Sequence, residues 1–203
     1  MKDHIIIFIK NPQSGKVKTR ISNTLGHDEA LRIYIILLEE IRKTTLQVNA
    51  ERHLFYSDYI SEDDKWSRDD FRKFIQTGHD LGERMKIAFE NIFKSLPSDQ
   101  GHKVIIVGSD CPYLTPAIFE EAFLTLDNND VVIGPAFDGG YYLLGMKNFL
   151  PYLFECIEWS TSQVLTQTIH ILNLRNNTYH LLPVLHDIDT EDDWLRYNKS
   201  SLF

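Results

Sequence analysis

The stretch His4–Arg20, HIIIFIKNPQSGKVKTR, joins two segments of opposite character. Its first part, HIIIFIK, is a run of β-branched and aromatic residues without polar alternation, which is typical of a strand buried on both faces of a parallel sheet. Its second part is a short loop that concentrates basic side chains, namely Lys10, Lys16, Lys18 and Arg20. A strand followed by a loop and a helix is the unit from which parallel α/β sheets are built. The stretch therefore predicts an α/β fold with a basic loop at the carboxyl end of its first strand.

The remainder of the chain continues this alternation. Further strands are predicted in HLFYSD, KFIQT, KVIIVGSD, DVVIGPA, YYLLGM and YHLLPVLHDID. Helices are predicted in DEALRIYIILLEEIRKTTLQV with Asp28 as cap, over about 81–96, in the segment after Thr115 and Pro116, and in SQVLTQTIHILNL. Thr190 and Asp193 have capping-box spacing before a last short helix. Because FDGG between two strands favours a hairpin, we expect a mixed, mostly parallel sheet.

Composition limits the classes of protein that fit this chain. The 203 residues are 43% hydrophobic, which suits one domain covering residues 1–203. With 29 acidic against 21 basic side chains, the net charge of −8 disfavours general binding to nucleic acid or to anionic membranes. Two cysteines without metal-ligand spacing, and no apolar run long enough for a membrane span or signal peptide, predict a soluble cytoplasmic protein. The oligomeric state is left open.

The basic loop is predicted to bind phosphate. Residues 11–15 form a tight turn containing Pro12 and Gly15, and Lys16, Lys18 and Arg20 follow before the helix. Phosphate requires cations and free backbone N–H groups, and a strand–loop–helix junction supplies both. The alternative is a solvated loop that happens to be basic. The loop lacks the P-loop pattern, and the absence of G-x-G-x-x-G disfavours a dinucleotide-binding fold.

Three carboxylates follow predicted strands at positions suited to a metal ion. Asp110 ends VIIVGSD, and Asp187 and Asp189 end the last strand. Carboxylate oxygen is the ligand that Mg²⁺ and Mn²⁺ prefer, alongside water and substrate phosphates. Asp110 could equally cap a turn. One of Asp187 and Asp189 could complete the metal site while the other caps the last helix.

Three further motifs have both a structural and a functional interpretation. Asp138, Gly139, Gly140 and Tyr141 form either a plain hairpin turn or a floor that a sugar or small acid approaches closely. Gln76 could hydrogen-bond a nucleobase edge, with Gly78 allowing close approach. The hydroxyls of WSTSQV (residues 159–164) favour helix capping, and its tryptophan favours core packing over stacking on a ligand.

Taken in order, KNPQSGKVKTR, QTGHDLGERM, GSDCP, GPAFDGGYYLLGM, WSTSQVLTQT and DIDTEDDW resemble one family. It is the bacterial glycosyltransferase-like DUF2064 family, associated with radical-enzyme and arsenosugar gene clusters. It is related to 2-phospho-L-lactate guanylyltransferase and to the molybdenum cofactor guanylyl- and cytidylyltransferases. The resemblance covers nearly the whole chain and implies the GT-A, nucleotide-diphospho-sugar transferase fold.

The resemblance also implies roles for individual residues. The nucleotide would contact Pro12, Gly15, Lys16, Lys18, Arg20, Gln76, Gly78 and Asp110. Asp110 would bind Mg²⁺ or Mn²⁺, with Asp187 or Asp189 as a second ligand, and the acceptor would lie against Asp138, Gly139, Gly140 and Tyr141. Asp110, Asp138, Lys18 and Arg20 would carry catalysis.

The expected activity is metal-dependent glycosyl transfer from a nucleotide-sugar to a small-molecule acceptor. Glycosyltransferases of this fold usually carry two acidic residues in D-x-D, whereas this chain has Gly108-Ser109-Asp110. That departure keeps open a guanylyltransferase-like nucleotidyltransferase acting on a small phosphorylated acceptor. A non-catalytic nucleotide-binding module is the third alternative.

Overall fold

A computed structural model describes residues 2–97 and 101–200. Seven strands form one sheet in the order β3-β2-β1-β4-β6-β5-β7. The strands, in chain order, are β1 Lys2–Ile9, β2 Glu51–Tyr56, β3 Arg72–Ile75, β4 His102–Val107, β5 Val131–Pro135, β6 Tyr141–Met146 and β7 Tyr179–Leu181. The helices are α1 Thr19–Leu25, α2 His27–Leu46, α3 Leu81–Ser95, α4 Pro116–Thr125, α5 Val164–Leu174 and α6 Glu191–Ser200, with a 3₁₀ helix at Pro151–Phe154.

The sheet is mixed and mostly parallel, as the sequence predicts. β1 pairs in parallel with β2 and β4, β2 with β3, and β5 with β7. Only β6 among the described strands runs the other way, because the FDGG turn makes β5 and β6 an antiparallel pair and β6 then pairs with β4. The amino end of β6 therefore lies at the same edge of the sheet as the carboxyl ends of the other strands.

Strand β1 is central because both of its faces are covered by helices. Ile5, Ile7 and Ile9 belong to one core cluster with residues of α2 and α4, and Ile6 and Phe8 belong to a second cluster with residues of α3. Ile5, Ile6 and Ile7 are fully buried. Full burial of such a side chain contributes about 1.5–3 kcal/mol, which explains why this run lacks polar alternation.

Helix ends follow local chemistry in two predicted places. Thr115 caps α4 by accepting a hydrogen bond from the N–H of Ile118, and Pro116 begins the helix. Thr190 and Asp193 close the first turn of α6 reciprocally: the side chain of each accepts a hydrogen bond from the backbone N–H of the other, at 3.3 and 2.9 Å. Local hydrogen bonding alone therefore defines these two boundaries.

Other boundary predictions are wrong. Asp28 lies in the first turn of α2, whose cap is Gly26. Short helix α1 was not predicted, and the last strand is only three residues long, because the chain beyond Leu181 keeps a single bridge, Ala136 to Leu185. Among the described residues, no helix is both apolar enough and long enough to cross a bilayer.

Candidate active site

A cavity of about 670 Å³ opens at the carboxyl edge of the sheet. Its wall includes the loop after β1, the loop after β4, the β5–β6 turn, the segment before α5 and the segment before α6. These are the positions at which an open α/β sheet binds ligands. Motifs that lie far apart in the sequence therefore surround one space.

Lys18 lies at the centre of this site and its ammonium is surrounded by oxygen. Its Nζ is 2.7 Å from Asp110 Oδ1, 3.3 Å from Asp189 Oδ1 and 2.6 Å from the carbonyl oxygen of Ile188. An ammonium has three protons, so these three contacts use all of them. The side chain of Lys18 is only 5% exposed. Lys18, which the sequence predicted to bind phosphate, thus binds carboxylates in this structure.

Backbone geometry supports the same arrangement. Lys18 precedes α1 in the left-handed region (φ 46°), a conformation that non-glycine residues seldom adopt. The N–H of Ile188 donates to the carbonyl of Asp110 at 2.9 Å, joining the segment before α6 to the loop after β4. Asp110, Asp187 and Asp189 are brought to one cavity by these contacts.

The electrostatics of the site are dominated by carboxylates. Burial first, and then repulsion by Asp110, Asp189 and Asp138, together raise the pKa of Asp187 to about 7, although the charge of Lys18 acts in the opposite direction. Burial alone would lower the pKa of Lys18, but attraction by Asp110 and Asp189 outweighs it and the net shift is upward. Lys18 is therefore held in its charged form.

The donor set suits a hard divalent cation. Four carboxylates line the cavity against Lys18, Lys10 and Arg20, and the repulsion around Asp187 is the kind that such a cation relieves. Within residues 2–97 and 101–200, no three acidic, imidazole or thiol groups already stand in a metal-binding arrangement. Asp110, Asp187 and Asp189 are the candidates to hold such an ion, and Lys18 contacts two of them, Asp110 at 2.7 Å and Asp189 at 3.3 Å.

The basic loop divides into residues that face the cavity and residues that do not. Lys10, Lys18 and Arg20 line it, and Arg20 is 75% exposed with an NH group 3.7 Å from Asp189. The cavity wall does not include the other predicted nucleotide contacts of this loop, which are Pro12, Gly15 and Lys16. Lys10 and Arg20 are thus the loop cations most available to a phosphate.

Gln76 lines the opposite end of the cavity, beyond the ends of β1, β2 and β3. Its amide nitrogen donates to the carbonyl oxygens of Ile9 and Phe55, both at 3.0 Å. Both amide protons are therefore used, and only the amide oxygen is left to meet a ligand. Gly78 does not line the cavity, and its close neighbour is the start of α3.

The β5–β6 turn forms part of the cavity wall, and a side-chain hydrogen bond within the turn holds its shape. Asp138 Oδ1 accepts the N–H of Gly140 at 2.9 Å, and Asp138, Gly140 and Tyr141 line the cavity whereas Gly139 does not. Gly139 has φ 89°, and an added Cβ would lie 2.3 Å from the carbonyl oxygen of Ser162. Glycine is therefore required at position 139 by the nearby backbone of Ser162, and not by a ligand. The motif is both a hairpin turn and a part of the cavity wall.

In the WSTSQV segment the capping prediction is wrong, whereas Trp159 packs against the core as predicted and also lines the cavity. Helix α5 begins after Gln163 without a side-chain cap, and Ser160 and Ser162 make no hydrogen bond within the described part of the chain. Trp159 is half-buried and lines the cavity, edge-on to Tyr141. It also packs against α3 at Gly82, where an added Cβ would lie 2.0 Å from Trp159 Nε1.

Sequence reasoning missed two supporting residues. The hydroxyl of Tyr34 accepts the N–H of Lys10 at 2.8 Å and lies 3.2 Å from Ser109 Oγ, so it ties the loops after β1 and β4 together. Buried Asn11 bonds through its side chain to the backbone of Asp58 and Tyr59. Only the helical periodicity around Tyr34 marked it as facing the core, and nothing local indicates its partners.

Cys111 is a packing residue in the core. It is buried beside Asp110, and burial first, then the charge of Asp187, raises the pKa of its thiol to about 12. A thiol with that pKa is protonated at neutral pH and is a poor nucleophile.

The comparisons with known proteins agree with this geometry. Residues 40–161 match the family described as an uncharacterized protein conserved in bacteria, DUF2064. A crystal structure from Desulfovibrio desulfuricans G20, whose assignment as a nucleotide-diphospho-sugar transferase is itself provisional, is 30% identical, covers 99% of this chain and 88% of its own, and has a TM-score of 0.88. The chain therefore belongs to the DUF2064 family, and its fold is that of the nucleotide-diphospho-sugar transferases.

More distant structures share the fold alone. Rv0371c from Mycobacterium tuberculosis H37Rv, solved in complex with manganese, is 12% identical with a TM-score of 0.58, covering 98% of this chain and 100% of its own. The 4-diphosphocytidyl-2C-methyl-D-erythritol synthase of Anaerococcus prevotii DSM 20548 is 12% identical with a TM-score of 0.57, covering 100% of this chain and 96% of its own. No curated protein matched the sequence.

Proposed function

We propose that the protein is a metal-dependent glycosyltransferase that uses a nucleotide-sugar donor and a small-molecule acceptor. The observation that carries the proposal is the order of groups along the cavity. In the strand order of the sheet, Gln76 follows β3, Lys10 follows β1 with Arg20 in the adjoining α1, Asp110 follows β4, and Asp138 lies in the turn between β5 and β6. A base, a diphosphate, a cation and a sugar would require groups of these kinds in that order.

The donor's phosphates have a defined place in this scheme. Lys10, from the loop after β1, and Arg20, from the first turn of α1, contact them, because both side chains face the cavity and are exposed. Gln76 offers its amide oxygen to an N–H group on the base. Mg²⁺ or Mn²⁺ would be held by carboxylates among Asp110, Asp187 and Asp189 and would supply compensation for phosphate charge. The manganese complex of a protein with the same fold supports this choice of ion.

The reaction itself needs no protein nucleophile. A hydroxyl oxygen of the acceptor bonds to the anomeric carbon, and the bond from that carbon to the phosphate oxygen breaks with its electron pair on the departing nucleoside diphosphate. Asp138 takes the hydroxyl proton, since its second carboxylate oxygen makes no hydrogen bond within the described residues. Lys10 and Arg20 stabilise the charge that develops on the leaving group.

One observation favours a second candidate, nucleotidyl transfer. The loop after β4 carries a single carboxylate, Asp110, in Gly108-Ser109-Asp110. In that reaction an acceptor phosphate would attack the α-phosphorus of a nucleoside triphosphate, and pyrophosphate would leave. The fold shared with a 4-diphosphocytidyl-2C-methyl-D-erythritol synthase is compatible with it.

The first experiment is a thermal-shift screen of nucleoside triphosphates and nucleotide-sugars, each with and without Mn²⁺. A ligand that binds the folded state raises the midpoint with the logarithm of its concentration over Kd. We expect one nucleotide-sugar to stabilise the protein beyond its parent nucleoside diphosphate, and Mn²⁺ to enlarge that shift in the wild type but not in Asp110→Ala. Stronger stabilisation by a triphosphate would favour nucleotidyl transfer, and no shift with any nucleotide would refute both candidates.

A further inference from the structure

The end of the cavity nearest α5 differs in chemistry from the phosphate end. We call it the acceptor lobe and define it by Asp138, Tyr141, Trp159, Ser160, Thr161 and Ser162, all of which line the cavity. The lobe is pre-formed, because the N–H of Leu165 donates to the carbonyl of Gly139 at 3.0 Å and so joins the β5–β6 turn to α5. Trp159 is fixed between Tyr141 and Phe154, with ring centroids at 6.4 Å from each.

Polar groups of the lobe are acidic or neutral. Asp138 contributes a carboxylate, and Asp187 lies near enough for the charge of Asp138 to act on it. Thr161 has a committed hydroxyl, which donates to the carbonyl of Glu158 at 2.7 Å, whereas Ser160 and Ser162 are exposed and make no hydrogen bond among the described residues. The lobe thus offers hydrogen-bond acceptors with negative charge and two available hydroxyls.

Positive charge in the cavity is confined to the other end. The cavity-lining cations of the described chain are Lys10 and Lys18, from the loop after β1, and Arg20, from the first turn of α1. Lys18 is already surrounded by oxygen, and Arg20 lies beside Asp189. A phosphate or carboxylate placed in the lobe would face the carboxylate of Asp138, and such a like-charge contact is unfavourable.

We propose that the acceptor lobe binds a neutral polyhydroxylated molecule, a sugar or polyol, and rejects acceptors that carry a phosphate. This inference rests on the proposed function. Sugar hydroxyls donate to the Asp138 carboxylate and bond to Ser160 and Ser162, while the apolar face of a sugar suits an aromatic wall such as Trp159. It also separates the two candidate reactions, because nucleotidyl transfer to a phosphorylated acceptor would place a phosphate dianion in this acidic lobe.

Binding to the lobe can be measured without a donor. Trp159 emission is titrated with matched pairs, each a neutral sugar or polyol and its phosphate ester, with a nucleoside diphosphate and Mn²⁺ present; Trp159→Phe identifies the signal of this residue. We expect a neutral member to bind at least ~10-fold more tightly than its ester, and Asp138→Lys to reverse that preference. Asp192→Lys, at an exposed carboxylate in the first turn of α6, is the matched charge control and should leave the preference unchanged.

The outcomes separate this inference from the proposed function. Tighter binding of the phosphate esters by the wild type, or no response to any member of the panel, would overturn the inference. Binding of a neutral sugar that depends on Asp138, without turnover of any nucleotide-sugar, would uphold the lobe's chemistry and refute glycosyl transfer.

Discussion

Replacing Lys18 with Met tests whether this lysine is the cation that holds the carboxylates together. Methionine keeps a long unbranched side chain and meets the same left-handed backbone as lysine, so mainly the ammonium is lost. Its three oxygen contacts, at 2.6, 2.7 and 3.3 Å, disappear together. The change therefore isolates one charge in one place.

The magnitude follows from burial on the two sides of the contact. Breaking a fully buried ion pair costs about 3–5 kcal/mol. The side chains of Asp110 and Asp189 are 48% and 39% exposed, so water can solvate them once Lys18 is gone. We expect a loss of about 2 kcal/mol without metal, which for a domain of this size lowers Tm by roughly 4–8 °C.

Mn²⁺ provides the decisive comparison. With the ammonium removed, four carboxylates face the cavity with less compensation, so the metal should raise the Tm of Lys18→Met by more than that of the wild type. Lys16→Met is the control, because Lys16 is exposed and forms no ion pair within the described residues. Equal midpoints for the two variants without metal, or equal Mn²⁺ shifts for Lys18→Met and wild type, would refute this view of Lys18.

Three further predictions concern stability. Burial, then the charges of His4 and Arg72, lowers the pKa of His53 to about 3. Below pH ~6.5 the unfolded chain therefore binds a proton at this histidine that the folded protein does not bind, and the protein loses stability as the pH falls. Urea denaturation should show a free energy of unfolding about 2 kcal/mol lower at pH 5 than at neutral pH through this group, and His53→Phe should lack that loss. Asn11→Ala removes the hydrogen bonds from a buried side chain to the backbone of Asp58 and Tyr59, two exposed residues, and should cost about 1–2 kcal/mol in the same assay, against a negligible change for exposed Asn23→Ala. Gly139→Ala should lower Tm by several degrees while Gly108→Ala, whose added Cβ meets nothing within 4 Å, should not; similar Tm values would contradict the close approach to Ser162.

Each element that the sequence predicted well depends on neighbours in the chain. The apolar, β-branched composition of β1 is enough to predict a buried strand. Thr115 and Pro116 define the start of α4 by local capping, and the FDGG turn defines the β5–β6 hairpin. The start of α5 and the end of the last strand were less predictable, because α5 begins without a side-chain cap and the chain after β7 meets β5 only at an isolated bridge.

The sequence by itself determined an α/β chain with a basic loop after its first strand and carboxylates after later strands. These features can be identified because the hydrophobic pattern and the charges depend only on consecutive residues. Only the tertiary structure decided what those charges do. Lys18 binds carboxylates because Asp110 and Asp189 arrive from distant strand ends, and Gln76 loses both amide protons to carbonyls of two neighbouring strands. Such pairings depend on how the sheet orders its strands, and no local pattern of residues encodes that order.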